Sequence, residues 1–351
     1  MEMLSIQYLR GIAAMMVVGV HLYPQLERMG YDDYWPHWLA SGVDIFFALS
    51  GFLMWITTRG KNVTVLEFYR RRVVRIVPLY WVLTTVAVAV MLIAPHLMQS
   101  TQFNLMHVIA SYLFISTPNP AGHMEPVLTV GWTLNYEMLY YVIFGLTLVL
   151  TTAWRFGATA LVFVALIAAG WLFPSSNPMW TSYTSNITLE FLLGMGIGWW
   201  YARDPRSGSA ALGWVLVLGG LAAIVLLSFI APTLTRPVQQ GIPAAAIVIG
   251  AIMLERYESL PRLPLLHRLG DASYSIYLSH TIVLSALSQG WRKVGLDSLP
   301  FGKTAFCVVG VVAVSVVGLA MFRWLEQPLI EVFKKKRVPA VAHAGERVPS
   351  H

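Results

Sequence analysis

Arg10 and His21 stand ten residues apart inside the first apolar block of the chain. Eleven helical steps leave about 20° of rotation and roughly 16 Å of rise, so on a helix the two side chains share one face, toward opposite ends. That spacing suits an extended ligand lying along the helix, its polar part held by the guanidinium and a reacting carbonyl brought to the imidazole. The plainer alternative is that Arg10 reaches the nearer interface through its long stem while His21 bonds a backbone carbonyl.

Further ionisable residues lie in or beside apolar blocks, where each costs about 2.5–3.5 kcal/mol to insert and persists where it pairs or faces a polar cavity. The run Tyr69–Pro78 holds Arg70, Arg71, Arg72 and Arg75. Arg72 and Arg75 are one turn apart and Arg71 meets Arg75 at i,i+4, so guanidinium forks converge in a way that grips phosphate oxygens. A charge stop against anionic lipid is the competing reading. Asp44 heads the run Ile45–Leu53 and needs a cation or a proton, with Arg10 or His21 as expected partners. Ser50 and Gly51 there suit close helix packing, as do Gly194, Gly196 and Gly198. Glu137 lies about a turn and a half into its block, near the depth expected of His21, where a carboxylate could fix an imidazole tautomer and stabilise the imidazolium. A tether to another helix is the alternative. In Asp271–His280 the polar groups, Tyr274 and His280 among them, recur turn after turn like a cavity wall. Arg323 and Glu326, one turn apart, are expected to pair with each other, and Pro328 to end that helix.

The elements that must position these residues are membrane helices. Of 351 residues, 57% are hydrophobic and 12% charged, with a mean hydropathy of +0.63, against about a quarter charged in soluble domains. Apolar blocks near 6–23, 38–57, 76–94, 132–150, 156–173, 184–201, 211–230, 240–254, 271–290 and 303–324 approach the roughly 20 residues a spanning helix needs. With the N-terminus cytoplasmic, ten spans put 17 of the 24 Lys and Arg in inside segments and 4 in outside ones, the expected bias. The expected fold is therefore an all-α polytopic membrane protein with both termini cytoplasmic. Counting 105–116 as an eleventh span would place Lys334, Lys335, Lys336 and Arg337 outside, so that segment reads as a re-entrant or interfacial helix within the long external loop 95–131. Pro118, Pro120, Gly122 and Pro126 interrupt helix in that loop. Trp35, Trp38, Trp199, Trp200 and Trp214 fall near block ends, where indoles anchor in headgroups. Residues 1–330 read as one membrane domain, and 331–351 as a basic cytoplasmic tail without fixed structure.

Other classes fit poorly. The net charge of +7 comes from residues between hydrophobic blocks, with no aromatic-interleaved groove for nucleic acid. Cys307, the single cysteine, sits in a span and implies neither an intrachain disulfide nor thiol chemistry. The first block contains Arg10 and His21 and lacks a basic n-region and cleavage site, so it is expected to be a retained span. No metal site is expected.

Arg10 followed at ten residues' distance by His21, Phe46–Leu53, Arg72-Val73-Val74-Arg75, Trp132–Glu137, Ser273–His280 and Glu326-Gln327-Pro328 occur in an order that resembles the acyltransferase-3 family, over about residues 4–330. Each piece is weak alone, and the ordered set is specific. The opening Leu4–Gly11 looks most like bacterial exopolysaccharide O-acetyltransferases of the succinoglycan type. The resemblance implies ten spans in a bacterial inner membrane, a cytoplasmic acetyl-coenzyme A donor and transfer of the acetyl group to a hydroxyl of an exopolysaccharide or lipid-linked glycan at the outer face. On this expectation Arg72, Arg75 and Arg71 hold the nucleotide phosphates and Arg10 guides the pantetheine arm. His21 acts as general base, oriented by Glu137 or Asp44, or carries the acetyl group itself. Ser50, Tyr274, His280 and Glu326 are placed in the cavity. Some relatives add an extracytoplasmic hydrolase-like domain; with 27 residues after the last span, transfer here is expected to be direct or to use a separate partner. The rival is a proton-coupled transporter or flippase of a glycolipid or weak acid, in which His21, Asp44, Glu137 and His280 form a relay.

Overall fold

The computed structural model of the chain describes residues 3–94, 103–204 and 208–335. Among them the secondary structure is wholly helical, without a strand. The first helices are α1 (Leu4–Glu27), α2 (Gly42–Thr58), α3 (Val65–Ile93), α4 (Leu105–Tyr112) and α5 (Trp132–Thr147). There follow α6 (Thr152–Leu172), α7 (Pro178–Tyr183), α8 (Leu189–Arg203), α9 (Ala210–Ile230) and α10 (Ile242–Arg256). The last are α11 (Pro264–Asp271), α12 (Ser273–Lys293), α13 (Gly302–Met321) and α14 (Gln327–Lys335).

All ten apolar blocks are helical, and seven helical stretches among the described residues are long and apolar enough to cross a membrane. The three blocks that fall short are α5 and α8, of 16 and 15 residues, and α12, whose 21 residues include Ser273, Ser275, Ser279 and His280. Each turns polar side chains into the assembly, which a helix can do where other helices shield it. The segment expected as a re-entrant or interfacial helix is the eight-residue α4, about 12 Å long and too short to span. It leans on α3, Tyr80 donating to the Ser111 carbonyl at 3.0 Å and Trp81 Nε1 to that of Tyr112 at 2.9 Å. Residues 331–335, counted with the tail, continue α14; Lys336, Arg337 and the rest of the tail lie outside the described residues, as does 95–102 of the long loop.

Local sequence explains the elements nearest the site. Thr64-Val65-Leu66-Glu67 opens α3 with a Thr64 Oγ1 cap on the Glu67 N–H at 3.1 Å, so the arginine run begins in a well-started helix. Glu255, at the end of α10, accepts from Leu4 N and Ser5 N at 2.8 and 2.9 Å and from the Ser5 hydroxyl, occupying amide donors that a helix start leaves open. Gly270 of α11 lets α1 approach as far as the Gln7 carbonyl. These contacts fix the end of α1 that carries Arg10.

The seam between α2 and α8 is the tightest helix pair beside the site. A Cβ at Gly51 would meet the Phe191 backbone, and one at Gly194 the Ala48 carbonyl, while Gly198 faces Trp55. The packing expected of Gly51, Gly194 and Gly198 is thus present, whereas Gly196 faces open space. Gly194→Val should lower stability by about 1–3 kcal/mol through overpacking, and Gly196→Val should change it little. Thermal unfolding of both variants in detergent checks the contrast.

Candidate active site

Two cavities meet at α3. The larger one, on the basic side, holds about 690 Å³ between α3 and α14, lined by Glu67, Arg70, Arg71, Arg72, Arg75 and Lys334 with apolar neighbours, a size typical of small-molecule sites. The inner one, about 140 Å³, is enclosed by α1, α2, α3, α5 and α12 and brings Arg10, Ser50, Arg72, Arg75, Glu137 and Tyr274 to one space. Arg72 and Arg75 belong to both walls, so the two side chains mark where vestibule and interior join. Arg10 and two members of the arginine run thus line one space, which His21 does not reach.

The arginines differ in how they are held. Arg71 is exposed and paired to Glu67 at 2.5 Å. Arg75 pairs with Glu326, whose other oxygen accepts from Ser275 Oγ at 2.6 Å. Arg72 has no ion pair among the described residues; it lies about 6 Å from the Phe68 and Tyr141 rings, and its Nε is buried without a partner. Arg10 likewise makes no hydrogen bond or ion pair among them and faces the cavity. Tyr274 donates to the Ile76 carbonyl at 2.7 Å and ties α12 to α3.

Several expected pairings are corrected. Arg323 does not pair with Glu326: residues Phe322–Glu326 form a π-helical turn, whose wider winding breaks the one-turn relation, leaving Arg323 exposed and Glu326 1% exposed. Asp44 reaches neither Arg10 nor His21. It takes two bonds from Arg236, Nε at 3.0 Å and Nη2 at 2.8 Å, with Glu190 3.9 Å from the same guanidinium. Arg236 sits in what the sequence marks as an outer loop, and the π turn Pro237–Gly241 leads it into the assembly. Glu137 does not orient His21. Its Oε1 accepts from Ser50 Oγ at 2.7 Å and Tyr141 OH at 2.5 Å. The start of α5 is already deep, since Tyr277 OH bonds the Val130 carbonyl at 2.9 Å and Thr133 at 2.7 Å. Glu137, one turn further in, falls level with Tyr274 and the arginines. Ser50 thus does polar work beside the packing glycine Gly51.

His21 stands one layer beyond the cavity. Its Nδ1 lies 2.8 Å from the Val17 carbonyl, so Nδ1 carries the proton and Nε2 is the free acceptor. The backbone bond of the plainer reading is present, and it leaves the other nitrogen available. The ring meets that of His280 edge to face at 4.7 Å. Tyr277, which lines the cavity, has its ring 5.8 Å from His280, so Tyr277 separates the inner space from the histidine pair. With Asp44 and Glu137 engaged elsewhere, the four groups of the relay reading do not form a chain. Arg236 and Glu190 are the residues that sequence reasoning missed. A lone arginine in an outer segment, against the charge bias, was the available signal. Among the described residues no group of three or more His, Cys, Asp or Glu side chains is placed to hold a metal ion.

A basic vestibule beside a cavity that mixes apolar walls with Arg10, Arg72, Arg75 and Glu137, inside an assembly of long apolar helices, is the arrangement of a multi-pass membrane protein. The chain belongs to the acyltransferase-3 family of membrane acyltransferases, whose acyltransferase domain matches residues 3–320. It is 37% identical to the exopolysaccharide production protein ExoZ of Rhizobium meliloti over 86% of this chain and 92% of that one. It is 25% identical to nodulation protein 10 of Rhizobium leguminosarum bv. viciae, over 72% of this chain and 74% of the relative. A third relative, the peptidoglycan O-acetyltransferase OatA of Listeria monocytogenes, is 24% identical over 93% of this chain and 55% of its own length. No solved structure matches the chain.

The Asp44–Arg236 pair gives a structural test. Asp44 is fully buried and Arg236 about 30% exposed, so Asp44→Ala should cost about 3 kcal/mol, the low end for breaking a buried pair. Asp44→Ala with Arg236→Met should recover part of the loss, as read by thermal unfolding.

Proposed function

We propose that the protein is an O-acetyltransferase of the bacterial inner membrane, crossing it ten times with both termini in the cytoplasm. It moves an acetyl group from cytoplasmic acetyl-coenzyme A to a hydroxyl of an exopolysaccharide or lipid-linked glycan at the outer face. The observation that carries this reading is that Arg72 and Arg75 line both the basic vestibule and the inner cavity, with His21 behind Tyr277 beyond that cavity. A phosphorylated nucleotide fits the vestibule, because guanidinium forks match phosphate oxygens. A thioester on a narrow arm fits a cavity walled by Phe46, Phe47 and Leu53 with Arg10 at its edge. Similarity to an exopolysaccharide production protein and a peptidoglycan O-acetyltransferase supports a polysaccharide acceptor.

In this mechanism Arg72 binds donor phosphate as the uncompensated cation, and Arg75 is aimed by Glu326. Arg71 contributes from the vestibule rim. His21 Nε2 takes the proton of the acceptor hydroxyl as its oxygen attacks the thioester carbon. The C–S bond breaks, the ester forms, and the proton passes to the leaving sulfur. The Val17 carbonyl fixes the His21 tautomer, the task expected of Glu137 or Asp44. Glu137, held by Ser50 and Tyr141, instead lines the same cavity as Arg10 and Arg72 without pairing with either.

His21→Ala should reduce transfer about 10²–10⁴-fold, the usual worth of a general base, with donor affinity kept. Arg72→Ala should weaken donor binding about 10–100-fold, from the loss of about 1.5–3 kcal/mol of charged hydrogen bonds, and Arg75→Ala less. Acetate on surface glycans from cells with each variant, together with acetyl-coenzyme A binding to the purified proteins, checks both. Unchanged glycan acetate in the His21 variant contradicts the assignment, and normal donor binding in both arginine variants returns the run to a lipid-facing charge stop.

A further inference from the structure

His280 is fully buried, and its Nδ1 lies 2.6 Å from the Tyr277 carbonyl. A carbonyl has no proton to give, so Nδ1–H is the donor and Nε2 is left as an acceptor. Among the described residues that Nε2 has no partner. An orphaned acceptor costs on the order of 1–3 kcal/mol, and burial of this kind marks a group awaiting a donor. Among the described residues, the only side-chain ring in contact with it besides its own-helix neighbour Tyr277 is His21, edge to face at 4.7 Å.

His21 also presents a bare Nε2 in its neutral form, because Val17 holds the Nδ1 proton. Two bare acceptors cannot bond each other, and no bond joins the rings in this state. Once His21 becomes an imidazolium, its Nε2 carries a proton and the acceptor lacking a donor is one ring contact away. The titratable groups facing the pair from the packed elements are otherwise engaged or carry no negative charge. Asp44 on α2 is bound by Arg236, Glu137 on α5 by Ser50 and Tyr141, and the Tyr277 hydroxyl by Val130 and Thr133. Arg10 and Tyr23 on α1 and Cys307 on α13 supply no anion. The carboxylate that usually supports a catalytic imidazole is therefore replaced by a neutral ring.

We propose that His280 is the positioning residue that stabilises the His21 imidazolium. The proposal rests on the acyl-transfer reading of His21. The hydroxyl proton moves to His21 Nε2 as the C–O bond forms and the C–S bond breaks. The new N–H is then shared with His280 Nε2 by a small turn of the rings, until the proton leaves with the thiol. His280 starts and ends neutral and touches no substrate.

The test compares wild type with His280→Gln, which keeps a neutral acceptor, and His280→Phe, which keeps the ring volume without one. Purified protein is assayed with acetyl-coenzyme A and glycan acceptor for kcat and for donor KM. His280→Gln should stay within about tenfold of wild type, and His280→Phe should lose about 10²-fold in kcat at unchanged donor KM. A packing role predicts the reverse order, since Phe fills the buried site. A second measurement needs no acceptor: in 15N-histidine spectra on acidification, the His21 Nε2–H signal should move downfield in wild type and His280→Gln but not in His280→Phe. Turnover by the Phe variant equal to or above that of the Gln variant, or the same Nε2–H signal in all three proteins, overturns the proposal. Absence of turnover in wild type counts against the acyl-transfer reading, and the spectra then decide the pairing alone.

Discussion

A charge surrounded by hydrocarbon has to be compensated nearby, and in this molecule the manner of compensation separates scaffold from site. Asp44 is answered by both nitrogens of Arg236, and Arg75 by Glu326 with Ser275 behind it. Glu137 takes two hydroxyl donors on one oxygen. Arg10 and Arg72 have no such answer among the described residues and face the inner cavity. Buried cations without counter-ions persist where an anionic or strongly polar ligand completes them. In the proposed mechanism those two side chains mark the ligand's path.

The same economy explains which helices are apolar. Stretches such as Ala210–Ile230 and Thr152–Leu172 are 17% and 22% buried along their most apolar windows, so they meet lipid with most of their surface. Beside the charged groups of α1, α2 and α3, part of the polar work falls to α5, α8 and α12, which carry Glu137, Glu190 and His280. These are the helices too short or too polar to qualify as spans on their own. A strongly polar helix is tolerated because its neighbours take the lipid contact. The glycine seam between α2 and α8 brings those neighbours close enough to seal it.

The helices were legible because ten apolar blocks and a lopsided charge distribution leave few arrangements, whereas the placing of Arg10 with Arg72 and Arg75 came from the family resemblance, since helical spacing relates residues only along one helix. Pairings between helices were not legible. Glu137 was placed at the depth of His21 by counting from the edge of its block, and the recessed start of α5 moved it a turn inward. Arg236 read as a loop charge, because nothing in the sequence signals the π turn that carries it to Asp44. Arg323 and Glu326 obeyed helical spacing on paper, and a second π turn undid it. Periodicity predicts neighbours along a regular helix; it is silent where the winding changes and where two distant helices choose each other's polar groups.

The proposed function is transfer across the bilayer, from a donor bound at the vestibule arginines to an acceptor reached from the other face. Its most direct test uses protein reconstituted in one orientation in sealed vesicles, with labelled acetyl-coenzyme A supplied on the side of the arginine vestibule and glycan acceptor confined to the opposite side. The account predicts label on the glycan with donor and acceptor so separated, and loss of that label when the donor is moved to the acceptor's side. Transfer only when both are present on the same side would contradict it.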